Sequence, residues 1–213
     1  MAYSVKEVYY TLQGEGAQAG RAAVFLRFAG CNLWTGREQD RARAVCQFCD
    51  TDFVGTDGPG GGKFAFAEAL AQHVLNAWPD DTPESRLVVC TGGEPALQLD
   101  ADLIAALHRL DFEIAIETNG TVPLATGIDW VCVSPKAGAK LEVTQGNELK
   151  LVYPQAEMAA HPSNFTDLNF DHFFLQPLDD RDGTDHTPAV VRYCLEHPQW
   201  RLSVQVHKVV GID

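Results

Sequence analysis

Cys31, Cys46 and Cys49 lie in polar, glycine-flanked sequence and form a C-x14-C-x2-C array. The Cys-x-x-Cys pair places two thiolates within reach of one metal centre, and Cys31 can supply a third from a strand end. Three thiolates suit two kinds of centre. Zinc takes a fourth ligand to close a tetrahedron, and residues 32–52 contain no histidine, so a local fourth ligand would be Asp50 or Asp52. An iron–sulfur cubane held at three irons leaves its fourth iron open for chemistry. A redox Cys-x-x-Cys is a third use of the pair. Spacing alone leaves zinc and cluster both standing.

The other cysteines read differently. Cys90 and Cys132 sit inside apolar runs and Cys194 in a helical stretch, Pro188 to Glu196, where a thiol behaves as a small buried hydrophobe. Disulfides are not expected in a chain of this size from a reducing compartment. Gly58-Pro-Gly-Gly-Gly-Lys63 resembles a phosphate-binding loop, but Phe64 replaces the required Ser or Thr and no apolar strand precedes the glycines. It reads as a turn.

The elements that must position these groups follow from the apolar pattern. Candidate strands are Ala23–Ala29, Leu87–Cys90, Glu113–Ile116, Trp130–Val133, Leu149–Tyr153, Phe173–Leu175 and Leu202–Val206. Most are continuously apolar, as in strands buried on both faces of a parallel sheet. Helical periodicity appears at Phe66–Ala77, Ala101–Leu110 and Ala189–His197. Strand followed by helix, repeated, predicts an α/β fold of βαβ units. With 213 residues and no linker or repeat, a single domain over residues 1–213 is expected, with a long loop at about residues 32–63.

Each polar cluster falls just after a strand. Gly30-Cys31-Asn32, Thr91-Gly-Gly-Glu-Pro95, Glu117-Thr-Asn-Gly120, Ser134-Pro-Lys136, Gln176-Pro177 and His207-Lys208 all occupy that position. In parallel α/β folds ligands bind at this edge, because rigid strands hold converging loops there. The net charge of −13 disfavours sequence-independent nucleic-acid binding and docking on an anionic membrane. No apolar run reaches the roughly 20 residues of a membrane span. The N-terminal residues lack the apolar core of a signal peptide, so a cytoplasmic protein is expected.

Phe48 between the paired cysteines, together with the downstream Gly-Gly-Glu-Pro, resembles the radical SAM superfamily, although the spacing between the first two cysteines is longer here than usual. A more specific ordered set is similar to the 7-carboxy-7-deazaguanine synthases. It comprises Leu12-Gln-Gly-Glu-Gly16, Phe25-Leu-Arg-Phe-Ala-Gly-Cys-Asn32, Phe48-Cys-Asp-Thr51, Thr91-Gly-Gly-Glu-Pro95, Glu117-Thr-Asn-Gly120, Ser134-Pro-Lys136 and Gln205-Val-His-Lys208. That resemblance implies a shortened, incomplete TIM-type barrel and usually a homodimer. It implies ring contraction of 6-carboxy-5,6,7,8-tetrahydropterin to 7-carboxy-7-deazaguanine with loss of ammonia, feeding queuosine and related deazapurines. The implied cofactors are a [4Fe-4S] cluster on Cys31, Cys46 and Cys49, S-adenosylmethionine and Mg²⁺, with an electron donor such as a flavodoxin or ferredoxin. Cleavage of the sulfonium would give a 5′-deoxyadenosyl radical that takes a hydrogen from the carbon bearing the carboxylate and returns it after rearrangement.

Site roles follow from the same resemblance. Thr51 would coordinate Mg²⁺, which keeps most of its waters. Cofactor contacts would come from Phe48, Cys49 and Asp50, from Gly92, Gly93 and Glu94, from Ser134, Pro135 and Lys136, and from Phe174, Leu175 and Gln176. Substrate contacts would come from Leu12, Gln13, Gly14 and Glu15, from Cys90 and Thr91, from Glu117 and from His207. The Asp213 carboxylate would fold over the substrate. Arg27, a cation inside an apolar strand, suits bidentate binding of a carboxylate, with a structural ion pair as the alternative. Two rival functions remain at this level: a non-catalytic zinc module, and a glycyl-radical activase, which would need a broad protein-docking surface.

Overall fold

The computed structural model describes residues 2–79, 86–155 and 157–212. The chain runs β1 (Tyr3–Leu12), β2 (Ala22–Phe28), β3 (Gly62–Phe64), α1 (Ala67–Ala77), β4 (Arg86–Gly92), α2 (Ala101–His108), β5 (Phe112–Thr118), β6 (Trp130–Val133), β7 (Gln145–Tyr153), β8 (Asn169–Pro177), α3 (Thr187–Glu196), β9 (Trp200–Leu202) and α4 (Val206–Val210). Among the described residues the nine strands form one sheet in the order β3-β1-β2-β4-β5-β6-β7-β8-β9. From β2 to β9 every pair is parallel, while β1 runs antiparallel to both β2 and β3. The two edge strands do not pair with each other, so the sheet stays open, as an incomplete barrel does.

Period-2 alternation assigns the two faces of the sheet. One face packs under helices: Val24, Leu26 and Phe28 of β2, Val88 and Cys90 of β4, and Ile114 and Ile116 of β5 form a core with Leu70 and Val74 of α1 and Leu103 and Leu107 of α2. A second core joins Val133, Leu149, Leu151 and Leu175 to Val190 and Tyr193 of α3. Among the described residues, no α-helix covers the β5–β6 or β6–β7 crossover, and only short 3-10 turns lie between β7 and β8. There the cover comes from loop residues Leu141, Val143, Phe165 and Leu168. The opposite face is plugged at one end by Ala23, Leu87, Val89 and Ala115, with Phe25 and Trp130 against them. Beyond that plug its inward positions turn polar: Arg27 pairs in register with Thr91, Glu117 with Cys132, Cys132 with Glu148, and Val152 with Gln176.

The elements β1, β3 and α4 are not in the sequence reading, and one expected strand is displaced. The run Leu202–Val206 is not a strand: β9 ends at Leu202, Ser203 still donates to the Leu175 carbonyl (2.9 Å), and the chain then turns into α4. Polar contacts override β-propensity there, because the Val206 N–H donates to the Gly14 carbonyl (2.9 Å) and Gln205 Nε2 to Glu15 (2.9 Å). The strand β1 has no clean alternation because its register shifts between Val5 and Glu7. The glycines of residues 58–62 make a turn against β1, with Gly58 N–H donating to the Lys6 carbonyl (3.0 Å) and Val8 N–H to the Pro59 carbonyl (2.8 Å).

Leu26 is fully buried between the sheet and its helices. Leu26→Ala should therefore lower unfolding free energy by about 2–5 kcal/mol in urea melts with little change in the slope of the transition. A loss below about 1 kcal/mol would mean that this core is not packed as described.

Candidate active site

A cavity of about 480 Å³ opens at the C-terminal edge of the parallel strands and is lined in part by Arg27, Thr91, Glu117, Lys150 and Gln176. Cys46 and Cys49 open onto its rim, with Phe48, Asp50 and Thr51 between and after them. All six cysteines of the chain are free. Cys31 follows β2, and its sulfur accepts the Leu33 N–H at 3.4 Å. The Cys46 thiol donates to the Cys49 sulfur, which also accepts the Thr51 N–H; together these outweigh burial and lower Cys49 to about 6, while Cys46 is pushed up. Burial raises Cys31 despite its N–H donor, so Cys49 is the sulfur of the three poised to carry negative charge, as a metal-bound thiolate does. The carboxylates that could have closed a local zinc site point elsewhere. Asp50 pairs with Lys208 (3.1 Å) and Asp52 with Lys6 (2.9 Å).

The β4 end brings main chain close to the cysteine loop. Gly92 adopts φ +135°, and Gly93 N–H donates to the Phe28 carbonyl (3.3 Å). A Cβ on Gly93 would collide with the Gly30 carbonyl, so only glycine allows this approach. Glu94 is placed differently from the expected cofactor contact. Its carboxylate is fully buried and accepts from Thr118 Oγ1 (2.6 Å), the Asn119 N–H (2.7 Å) and the Ala96 N–H (2.9 Å). It clamps the β4 end to the β5 end, leaving Gly92 and Gly93 to face the cavity. Lys136 Nζ donates to Ser134 Oγ (2.6 Å) and lies 5.7 Å from the Phe48 ring, so these three gather at one side. Pro135 lines a smaller neighbouring cavity instead.

The inner wall is built on a buried cation. Lys150, only 5% exposed, donates to Glu15 Oε2 (2.6 Å) and Glu117 Oε2 (2.9 Å). Gln13 donates to Glu117 (3.2 Å), and Gln176 and Gln205 donate to Glu15 (3.2 and 2.9 Å). Burial pushes the Glu15 carboxyl up, but the charge and hydrogen bonds of Lys150 and Gln205 outweigh it and hold Glu15 at about 2. Burial dominates at Glu117 and raises it. Glu148 accepts the Ala17 N–H (2.7 Å), and Glu117, Cys132 and Glu148 bring their ligand atoms within 4.8 Å of one another. Lys150 supplies the positive charge that this cluster needs. Cys132 is thus buried as expected, but against carboxylates rather than hydrocarbon.

Arg27 lines the cavity with its Nε on Glu7 (2.6 Å) and an Nη on the Tyr9 hydroxyl (3.0 Å). Leu12, Gln13, Gly14, Glu15, Thr91 and His207 also line it. His207 does not close a strand; it lies on α4, against Gly14, where a Cβ would strike its ring. Alternation sends Cys90 the other way, so its thiol is in the core and Thr91 takes the lining position. Leu175 is likewise in the core. Phe174 is buried beneath the Arg201 guanidinium, 4.8 Å from its ring, so only Gln176 of that trio reaches the cavity. Asp213 lies outside the described residues. Lys150, Glu148, Gln205, Glu7 and Tyr9 were not found from the sequence. For the first two the signal was present in Glu148-Leu-Lys-Leu151, charges at alternate positions of an apolar strand.

Because Glu15 sits at about 2 in the fold against 4.5 for the free side chain, its ionised form stabilises the fold above pH 4.5, and that contribution fades as pH falls toward 2. The stability difference between the wild type and Glu15→Gln, from urea melts, should shrink between about pH 5 and about pH 3. A difference that stays level or grows over that interval would refute the Glu15–Lys150 pairing.

No family model matches the chain. Curated relatives do. It is 64% identical over 212 residues to the 7-carboxy-7-deazaguanine synthase of Bordetella pertussis and 63% identical to that of Caulobacter vibrioides, covering 100% of both chains in each case. The crystal structure of QueE from Escherichia coli superposes with a TM-score of 0.70 at 28% identity, over 97% of this chain and 95% of that one. A shared fold, full-length coverage and identity at this level lead to one conclusion: the chain belongs to the 7-carboxy-7-deazaguanine synthase family of enzymes.

Proposed function

We propose that this chain converts 6-carboxy-5,6,7,8-tetrahydropterin to 7-carboxy-7-deazaguanine and ammonia, with Cys31, Cys46 and Cys49 holding a [4Fe-4S] cluster. The observation that carries this is one of placement. Free cysteines and a cavity lined by Arg27, Lys150 and the carboxylates of Glu15 and Glu117 share a single strand edge. The donor set fits the cluster: the three cysteines act on one another electrostatically, and the two carboxylates of the local loop, Asp50 and Asp52, are paired with Lys208 and Lys6. Bound there with S-adenosylmethionine, the cluster supplies one-electron cleavage and a hydrogen-abstracting radical. Everything else is binding, orientation and exclusion of water by the protein.

Main chain at Gly92 and Gly93 and the side chains of Phe48, Asp50, Ser134, Lys136 and Gln176 would hold S-adenosylmethionine, and the Thr51 hydroxyl Mg²⁺; that all of them line the cavity supports this reading. Arg27 binds the substrate carboxylate, and Glu7 and Tyr9 hold its guanidinium plane in place for that contact. Glu15 and Glu117 accept from the aminopyrimidine edge, with Lys150 bonded to both carboxylates. Thr91 and His207 close the remaining sides. A second copy of the chain, a one-electron donor protein and a cytoplasmic setting complete the reading. Six free cysteines accord with a reducing compartment, and no described helix is long and apolar enough to cross a membrane.

The direct test is anaerobic incubation of the reconstituted protein with S-adenosylmethionine, reductant, Mg²⁺ and 6-carboxytetrahydropterin, followed by mass spectrometry. The expected product has lost ammonia; unchanged pterin beside cleaved S-adenosylmethionine would reject the substrate. Arg27→Lys, which keeps charge but loses the planar fork, should reduce kcat/KM by about 10–100-fold. A change under about threefold would leave Arg27 only its pairing with Glu7. Lys150→Met should act mainly on KM, raising it by about tenfold or more with a smaller effect on kcat, because it disorders binding groups rather than the reacting carbon. An unchanged KM would remove Lys150 from substrate recognition.

A further inference from the structure

The 14 residues between Cys31 and Cys46 are built around one side chain. Trp34 is buried edge-on against Phe53 (5.6 Å between ring centroids), and its Nε1 donates to the Arg37 carbonyl (3.2 Å). The 3-10 turns of Glu38–Arg43 then lay the Arg41 guanidinium over the Trp34 ring at 3.9 Å. From that seat Arg41 Nη1 donates to the main-chain carbonyls of Gln47 (2.8 Å) and Cys49 (2.9 Å). Its Nε donates to Glu38 (3.0 Å), and Glu38 is gripped from the loop after β8 by Arg181 (2.6 and 3.1 Å). The Arg41 side chain is only 13% exposed, while its partner Glu38 is 65% exposed at the surface.

The two carbonyls that Arg41 holds belong to the turn between the paired cysteines. Among the described contacts it is the one side chain donating to the main chain of that turn. We infer that Arg41 is a positioning residue for the cluster: it fixes the Cys46–Cys49 turn before iron arrives and keeps a permanent cation on the main chain of that turn. The inference rests on the cluster reading above but not on the identity of the substrate. Two effects follow. A pre-set turn lowers the ordering cost of binding, so the cluster is held more tightly. A nearby cation favours the extra electron of the reduced cluster, so its loss drives the midpoint potential negative. Only the planar fork of arginine serves ring, carbonyls and Glu38 together.

The test uses the full chain, reconstituted anaerobically, as wild type, Arg41→Met, Arg41→Lys and Glu38→Gln. Circular dichroism and thermal melts of the unreconstituted proteins report on folding. Arg41→Met should release iron to a chelator about tenfold faster or more and show a more negative midpoint potential. Arg41→Lys should recover most of the potential but little of the chelator resistance. Glu38→Gln, which removes the counter-charge and keeps the cation, should move the potential the opposite way. Iron release and potential in Arg41→Met equal to those of the wild type would overturn the inference alone. A wild type that takes up no iron and sulfide would overturn the cluster reading and this inference with it.

Discussion

A single ammonium group, buried and bonded to two carboxylates, is the interaction on which the interior depends. Lys150 reaches Glu15 and Glu117 at 2.6 and 2.9 Å from the middle of a strand whose other face is hydrocarbon. Charges at such depth are tolerated only when paired and fully hydrogen-bonded. Gln13, Gln176 and Gln205 complete that requirement, and each comes from a different segment of the chain. The network therefore fixes the relative positions of the loop after β1, the ends of β5 and β8, and the segment after β9. One face of the sheet is held by apolar packing under helices, the other by this set of charges.

The strand ends extend that logic outward. Glu94 joins β4 to β5 through two accepted hydrogen bonds, from Thr118 and Asn119, and Asn119 reaches from there to Asn32 beside Cys31 (3.1 Å). Gly93 meets Gly30 with no room for a side chain. The cysteine-bearing loop is thus tied to the same strand edge that presents Thr91 and Glu117. Soft sulfur donors and hard oxygen groups line one cavity because rigid parallel strands deliver both to the same edge.

Much of this was legible in the residues. The parallel strands are apolar runs, and Trp130–Val133 matches β6 end to end. Clustering of polar groups after strands located the cavity, since that edge is where loops converge. Other features depend on neighbours the chain alone does not reveal. The bulge between Val5 and Glu7 hid the alternation of β1. The inward face of β7 is set by β6 and β8 on either side, so Glu148 and Lys150 gained a role only once that pairing was known. Glu94 misled for a related reason. A carboxylate beside two glycines reads as a ligand group, yet the unsatisfied N–H groups after β5 claim it first. Cys90 and Thr91 are adjacent, and only the strand's pleat separates core from cavity.

The bonds from Gln205 and Gln176 to Glu15 span 190 and 161 residues of sequence. Closing loops of that length gives little return until both ends are already ordered. The polar wall is therefore an outcome of folding and not a nucleus for it. A partly folded chain can have its helical layer in place while three carboxylates and an ammonium still face water. Such an intermediate would carry its cysteines without an enclosed chamber, so closing the chamber is a late step of folding.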